Sequence, residues 1–152
     1  MKGEFCDTNV LVYAYDTTAG AKREQARRLL ERLWETGAGV VSVQVLQELF
    51  VTLTRKLPQP LPIHEARAVV ADMATWEVIA PDAADVLEAI DGTGRWQVAF
   101  WDAMILLAAK RAGATVIWSE DLNDGQAYDD ITVRNPFRQD LNLPSVPSPG
   151  SP

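Results

Sequence analysis

Short apolar runs with strand character alternate with segments of helical periodicity along most of the chain. That alternation is what most narrows its folding options: it selects an α/β architecture with a largely parallel sheet. Strands are predicted over residues 3–7, 40–43, 78–80, 115–119 and 131–133, and a helical turn over 9–15. Longer helices are predicted over 22–35, 45–56, 63–76, 83–90 and 98–112. In the first of these, Ala26, Leu29, Leu30, Leu33 and Trp34 repeat at the spacing of one helix face, and Gly37 and Gly39 end it. Leu46, Leu49, Phe50 and Leu53 form the stripe of the second. Pro58, Pro60 and Pro62 make a loop, and Asp91-Gly92-Thr93-Gly94 closes the helix before it. The stretch from Val98 is nearly all apolar and is expected to be buried. Trp34, Trp76, Trp101 and Trp118 lie in apolar patterns and are expected in the core, as is Cys6.

At 152 residues the chain fits one domain, assigned here to residues 1–137. Residues 138–152 turn Pro- and Ser-rich and are read as a mobile tail. No apolar run is long enough to span a bilayer, and no signal-peptide pattern opens the chain, so a cytoplasmic location is expected. One cysteine permits no internal disulfide and no cysteine-based zinc site. With a single histidine, His64, and no motif serine, a hydrolase triad has no basis. Thr36-Gly37-Ala38-Gly39 follows a helix and precedes a strand, the wrong order for a phosphate loop.

The net charge of −7 argues at first sight against nucleic acid. The argument weakens if several acids share metal ions. The cations are also clustered, with Lys22, Arg23, Arg27, Arg28 and Arg32 in one segment that is either a solvated helix face or a surface for RNA or protein.

Carboxylates in apolar surroundings are the informative residues, because an unpaired buried carboxylate costs several kcal/mol. Asp7 ends the first strand, where it is a helix cap or part of a site at the carboxyl edge of the sheet. Asp102 interrupts an apolar helix and needs a cation, strong donors or a raised pKa; a buried ion pair is the alternative. Asp121 follows the strand at 115–119, with Asp124 close behind, and both are site residues or members of an acidic turn. Glu48 lies off the apolar stripe of its helix, facing either solvent or the same site. Taken together they form a hard-oxygen set without histidine or cysteine, which suits Mg²⁺ or Mn²⁺. The use of such a set is phosphoryl chemistry with a metal-activated water.

These residues fall in four segments whose order and spacing resemble the PIN-domain nucleases. Asp7-Thr8-Asn9 resembles the family's opening motif. Ser42-Val43-Gln44-Val45-Leu46-Gln47-Glu48-Leu49 resembles the second, Trp101-Asp102-Ala103-Met104-Ile105 the third, and Ser119-Glu120-Asp121-Leu122-Asn123-Asp124-Gly125 the fourth. The similarity covers about residues 1–137 and is nearest to bacterial toxins of VapC type. It implies a three-layer α/β/α fold around a mostly parallel sheet of about five strands. It also implies Mg²⁺- or Mn²⁺-dependent RNA cleavage by Asp7, Glu48, Asp102 and Asp121, with Asp124 as a fifth acid. Thr8, Asn9 and Ser119 would orient the ligands or the water. The resemblance further implies a homodimer held inactive by a small antitoxin protein. Arg95 and Trp96, placed in a loop before the Asp102 helix, are candidates for holding a phosphate and stacking a base.

Other functions compete. A haloacid-dehalogenase-type phosphatase needs a second Asp where this chain has Asn9, and the paired acid and late lysine of a phosphate-accepting receiver are missing. A non-catalytic RNA- or protein-binding scaffold gains nothing from clustered acids. A DNA-directed nuclease on the same fold shares the phosphate chemistry.

Overall fold

The computed structural model describes residues 2–138, so the expected tail lies outside the described residues apart from Arg138. Strand β1 (Glu4–Cys6) leads into α1 (Thr8–Tyr15) and α2 (Ala21–Thr36). Then come β2 (Gly39–Ser42), α3 (Val43–Arg55), α4 (Ile63–Met73), β3 (Glu77–Ile79), α5 (Ala83–Trp96) and α6 (Phe100–Arg111). Strands β4 (Val116–Trp118), β5 (Ala127–Tyr128) and β6 (Ile131–Arg134) follow. The helices flank one sheet of order β3-β2-β1-β4-β6-β5, parallel except for the β5–β6 pair. The two-residue strand β5 is the one beyond the five expected; it is too short to carry a periodic signal.

The strand order reverses beside β1. Strands β2 and β3 lie on one side of it and β4 and β6 on the other. In an open parallel sheet the crevice for ligands forms at such a switch point, outside the carboxyl ends of the strands. Asp7 closes β1 there and Ser119 follows β4, the two strands being joined by the Asp7 N–H donating to the Trp118 carbonyl at 3.0 Å.

Local chemistry sets the helix starts that matter. The Asp7 carboxylate caps α1 by accepting from the Thr8 N–H at 2.8 Å, and the Ser42 hydroxyl caps α3 by accepting from Val45 N–H. Helix α6 places Asp102 in its first turn and Lys110 and Arg111 in its last, the charge order that complements the helix dipole. Residues Ala103 to Ala109 are all buried. This gives the site a rigid floor.

Several sequence expectations need correction. Helix α5 does not stop at Ile90 but runs on through Gly92 to Trp96. Gly92 is there because a Cβ would meet the Trp96 ring at 2.8 Å, so the glycine makes room for close packing and ends nothing. Arg95 and Trp96 therefore form the last helical turn and not a loop. Helix α6 starts at Phe100, two residues later than predicted. Trp118 is fully buried, but Trp101 is 62% and Trp34 44% exposed. Apolar periodicity cannot tell the rim of a helix's end turns from its buried face.

Candidate active site

Four acids from four separate elements meet at the switch point. Asp7 is buried, Glu48 and Asp102 are half-buried, and Asp121 is exposed. Asp7 Oδ2 accepts from the Ser119 hydroxyl at 2.9 Å and from Asn9 Nδ2 at 3.2 Å. The same Asn9 nitrogen reaches Asp121 Oδ2 at 3.2 Å, while Asn9 Oδ1 accepts from the Glu120 N–H at 2.9 Å. Ser119, with no exposed surface, also accepts from the Asp121 and Leu122 N–H groups at 3.1 and 3.3 Å. Thr8 Oγ1 donates to Glu48 Oε1 at 2.7 Å. So Thr8, Asn9 and Ser119, singled out in the sequence, each contact an acid of the set.

Gln44 was missed. Its side-chain amide donates to Glu48 Oε2 at 3.1 Å and approaches the Trp101 carbonyl at 3.5 Å, tying α3 to the start of α6. The available signal was its position one helical turn before Glu48.

Asp102 accepts no hydrogen bond from a described residue, and no described lysine or arginine pairs with any of the four acids. Burial raises the Asp7 carboxyl to about 6. The Ser119 and Thr8 hydrogen bonds oppose that rise, and the charges of Asp121 and Glu48 add to it. Asp102 is also pushed up, by burial first and then by Asp121 and Glu48. Asp7 and Asp102 thus both feel the charges of Asp121 and Glu48, and no described lysine or arginine pairs with these acids.

This uncompensated, all-oxygen set fits a hard divalent cation. It is not a closed cage: among the described residues no three acids converge closely enough to chelate one ion as they stand. Mg²⁺ commonly keeps several waters and is held by one or two carboxylates together with substrate phosphates, a mode that an open arc of acids can serve.

The other expected residues are placed differently. Asp124 is engaged elsewhere: one oxygen accepts from the Asn135 N–H at 2.8 Å and the other pairs with Arg138 at 3.3 Å, so it ties the turn before β5 to the chain that follows β6. Arg95 pairs with Asp129 at 3.0 Å and lies over the Trp96 ring, which packs between α5 and α6. Neither presents the free phosphate clamp and open ring expected of them. Much of the basic segment is engaged within the fold: Lys22 pairs with Glu120, Arg27 donates to the Ala14 carbonyl and Arg32 pairs with Glu4. Cys6 is fully buried with its thiol pushed far up by burial, a core residue and no nucleophile. His64 is exposed in the first turn of α4.

Two clefts flank the acids. One, of about 610 Å³, runs between α1 and α3 past Glu48, Val51, Lys56 and Asp121. The other, of about 480 Å³, opens from Asp102 and Asp121 toward Gln97, Asn123 and Gln126. A chain lying across the acids could occupy both.

An open parallel sheet with four acids from separate elements at its switch point makes a carboxylate-lined candidate site. The PIN-domain family model matches residues 5–126, and the chain belongs to that family. Solved structures of similar fold include the VapC20 toxin of Mycobacterium tuberculosis, described as cleaving the sarcin-ricin loop, with 20% identity, a TM-score of 0.59 and coverage of 78% of this chain and 90% of that one. A toxin–antitoxin complex from Klebsiella pneumoniae shows 18% identity and a TM-score of 0.67, covering 89% and 98% of the respective chains. DNA-bound VapBC from Salmonella typhimurium shows 22% identity and a TM-score of 0.63, covering 90% and 99%. No curated protein matches the chain significantly in sequence. No helix among the described residues is long and apolar enough to cross a membrane.

Ser119 is the keystone of the hydrogen bonding. We expect Ser119→Ala to destabilise the protein by about 1–3 kcal/mol in urea denaturation, because the Asp121 and Leu122 N–H groups and Asp7 all lose a partner. Any cleavage activity should fall roughly 10–100-fold, the usual cost of losing a group that orients a metal ligand.

Proposed function

We propose that the protein is a divalent-metal-dependent endoribonuclease acting as the toxin of a toxin–antitoxin pair. The observation that carries this reading is the set Asp7, Glu48, Asp102 and Asp121 at the switch point, mutually repelling and left uncompensated by any described cation. A purely structural set would be expected to carry arginine or lysine partners, as Asp85 does with Arg111 in this chain.

The chain's own residues prepare the site. The Thr8 hydroxyl and the Gln44 amide hold the two oxygens of Glu48. Ser119 and the Thr8 N–H hold the two oxygens of Asp7, and Asn9 sets the spacing between Asp7 and Asp121. Preorganisation of this kind keeps the carboxylates from turning away from one another and lets them meet a charged substrate without rearrangement. Mg²⁺ or Mn²⁺, held by these acids, would supply positive charge to the scissile phosphate and lower the pKa of the attacking water. Asp102, half-buried and without a hydrogen-bond donor among the described residues, has both oxygens open to a ligand.

The fold likeness to toxins of VapBC pairs supports a small antitoxin protein as partner; a homodimer and a cytoplasmic location are part of the same proposal. The test is incubation of the purified protein with structured and unstructured RNAs and matched DNAs, in Mg²⁺, Mn²⁺ or EDTA. RNA cleavage that requires metal is expected. Intact RNA under every condition, with a folded protein and no metal uptake by calorimetry, would leave a non-catalytic scaffold as the better reading; preferential cutting of DNA would reassign the substrate.

A further inference from the structure

We propose that the cleft beside Asp102 and Asp121 binds one unstacked nucleobase of a single-stranded RNA, with the side-chain amides of Asn123 and Gln126 reading its edge. This rests on the ribonuclease reading above and adds the part of the substrate that the acids cannot select.

The two clefts beside the acids differ in chemistry. The α1–α3 cleft sets aliphatic Val12 and Val51 and one cation, Lys56, beside three carboxylates, Glu48, Glu120 and Asp121. The other presents carboxamides: Gln97, Asn123 and Gln126. Asn123 Nδ2 donates to Gln126 Oε1 at 2.9 Å. That bond uses one donor and one acceptor of the pair and leaves the Asn123 carbonyl and the Gln126 amino group pointing elsewhere. If both amides are turned over, the bond reverses and one free donor and one free acceptor still remain. A neighbouring donor and acceptor match the edge of a base, and Asn and Gln side chains read bases in this bidentate way.

One further feature of the same wall lacks a partner in the fold. The Trp96 indole N–H is buried and has none among the described residues, although an orphaned buried donor is costly. Trp96 stands in the lining of this cleft, next to Gln97, whose left-handed backbone, φ 55°, ends α5. In a duplex the base edge is paired and stacked, so the cleft selects single strands, loops or bulges, whose bases are free to turn out.

The experiment pairs binding with cleavage. Fluorescent pentaribonucleotides that vary at one central base are titrated in EDTA against the wild type and an Asn123→Ala/Gln126→Ala double variant, and RNAs varied at the same position are cut in Mg²⁺. Both positions are exposed, so folding should survive; circular dichroism checks it. The wild type is expected to favour one base at least about fivefold, the lower end of what a bidentate contact provides, and the double variant to bind all four within about twofold. In the cleavage arm the same preference should appear next to the cut and vanish with the variant. Base-indifferent binding by the wild type, or a preference that survives the double substitution, would overturn the assignment of the cleft while any metal-dependent cleavage still stood. Base-selective binding lost in the variant, without cleavage of any RNA, would keep the cleft and remove the nuclease reading.

Discussion

Replacing Asp7 with Asn is expected to lower metal-dependent RNA cleavage by about a thousandfold, equivalent to ~4 kcal/mol of lost transition-state stabilisation, without unfolding the protein. The change is nearly isosteric. The Asn carbonyl can still accept the Thr8 N–H that caps α1, while the amide takes the place of the oxygen that accepts from Ser119 and Asn9, so those two side chains lose an acceptor. What disappears is the negative charge at the end of β1, the most buried of the four. Asp102→Asn should have a similar effect on rate and a smaller one on stability, because Asp102 is only half-buried and makes no hydrogen bond to a described residue. Single-turnover rates on an RNA that the wild type cuts, with circular dichroism and thermal melts beside them, measure both. An Asp7→Asn variant that kept more than a tenth of the wild-type rate would remove Asp7 from the chemistry.

The second large effect concerns pH. In the absence of metal, the Asp7 carboxyl titrates near 6 in the folded chain, against an ordinary value near 3.9 when unfolded. Between those values the folded state binds the proton more tightly than the unfolded state does. Stability attributable to Asp7 therefore falls as pH rises from about 4 through about 6, then levels off. The gap between those two values corresponds to about 3 kcal/mol. The measurement is urea denaturation in EDTA of the wild type and Asp7→Asn from pH 4 to pH 7.5. The wild type should lose about 2 kcal/mol relative to the variant over that range. Mg²⁺ or Mn²⁺ at pH 7.5 should restore part of the loss in the wild type alone, since a ligand that binds only the folded state stabilises it. A difference that does not vary with pH, or one that grows in the opposite direction, would show that the folded chain does not strain the Asp7 carboxylate.

Both predictions trace back to a stability cost accepted at the site. Buried acids and indoles elsewhere in the fold do find partners: Asp85 is capped and paired, and Trp118 donates its indole N–H to Glu4 at 2.8 Å. At the switch point the same chain gathers four acids and provides hydroxyls and amides to hold them, but no positive charge among the described residues. Local departures from good packing electrostatics concentrate at functional sites.

Much of this was legible along the chain. The alternation of strand and helix patterns led to the parallel sheet, because periodicity of two or of 3.6 is a local property that burial imposes on each segment. Asp102 stood out because a carboxylate inside an apolar helix has few tolerable explanations. Asp7, with Thr8 and Asn9, and Ser119, with Asp121, stood at strand ends. Their roles as caps and ligands were both open, and Asp7 is indeed a cap as well as a member of the acidic set.

What the linear pattern could not contain was convergence. Asp7 and Ser119 are 112 positions apart and meet only because β4 pairs with β1 across the point where the strand order reverses. No local preference encodes that pairing. For the same reason Asp124, three residues from Asp121, is turned away to Asn135 and Arg138, and Gln44 is drawn to Glu48 and Trp101. The exposure of Trp101, the continuation of α5 through Gly92 and the orphaned Trp96 N–H follow from how α5 and α6 pack, which depends on shape and not on composition. The kinds of residue at the site and their order were determined by the sequence alone. Which acids face one another, and what surrounds them, was decided by the tertiary fold, because distances between groups far apart in the chain exist only once the sheet has closed its register.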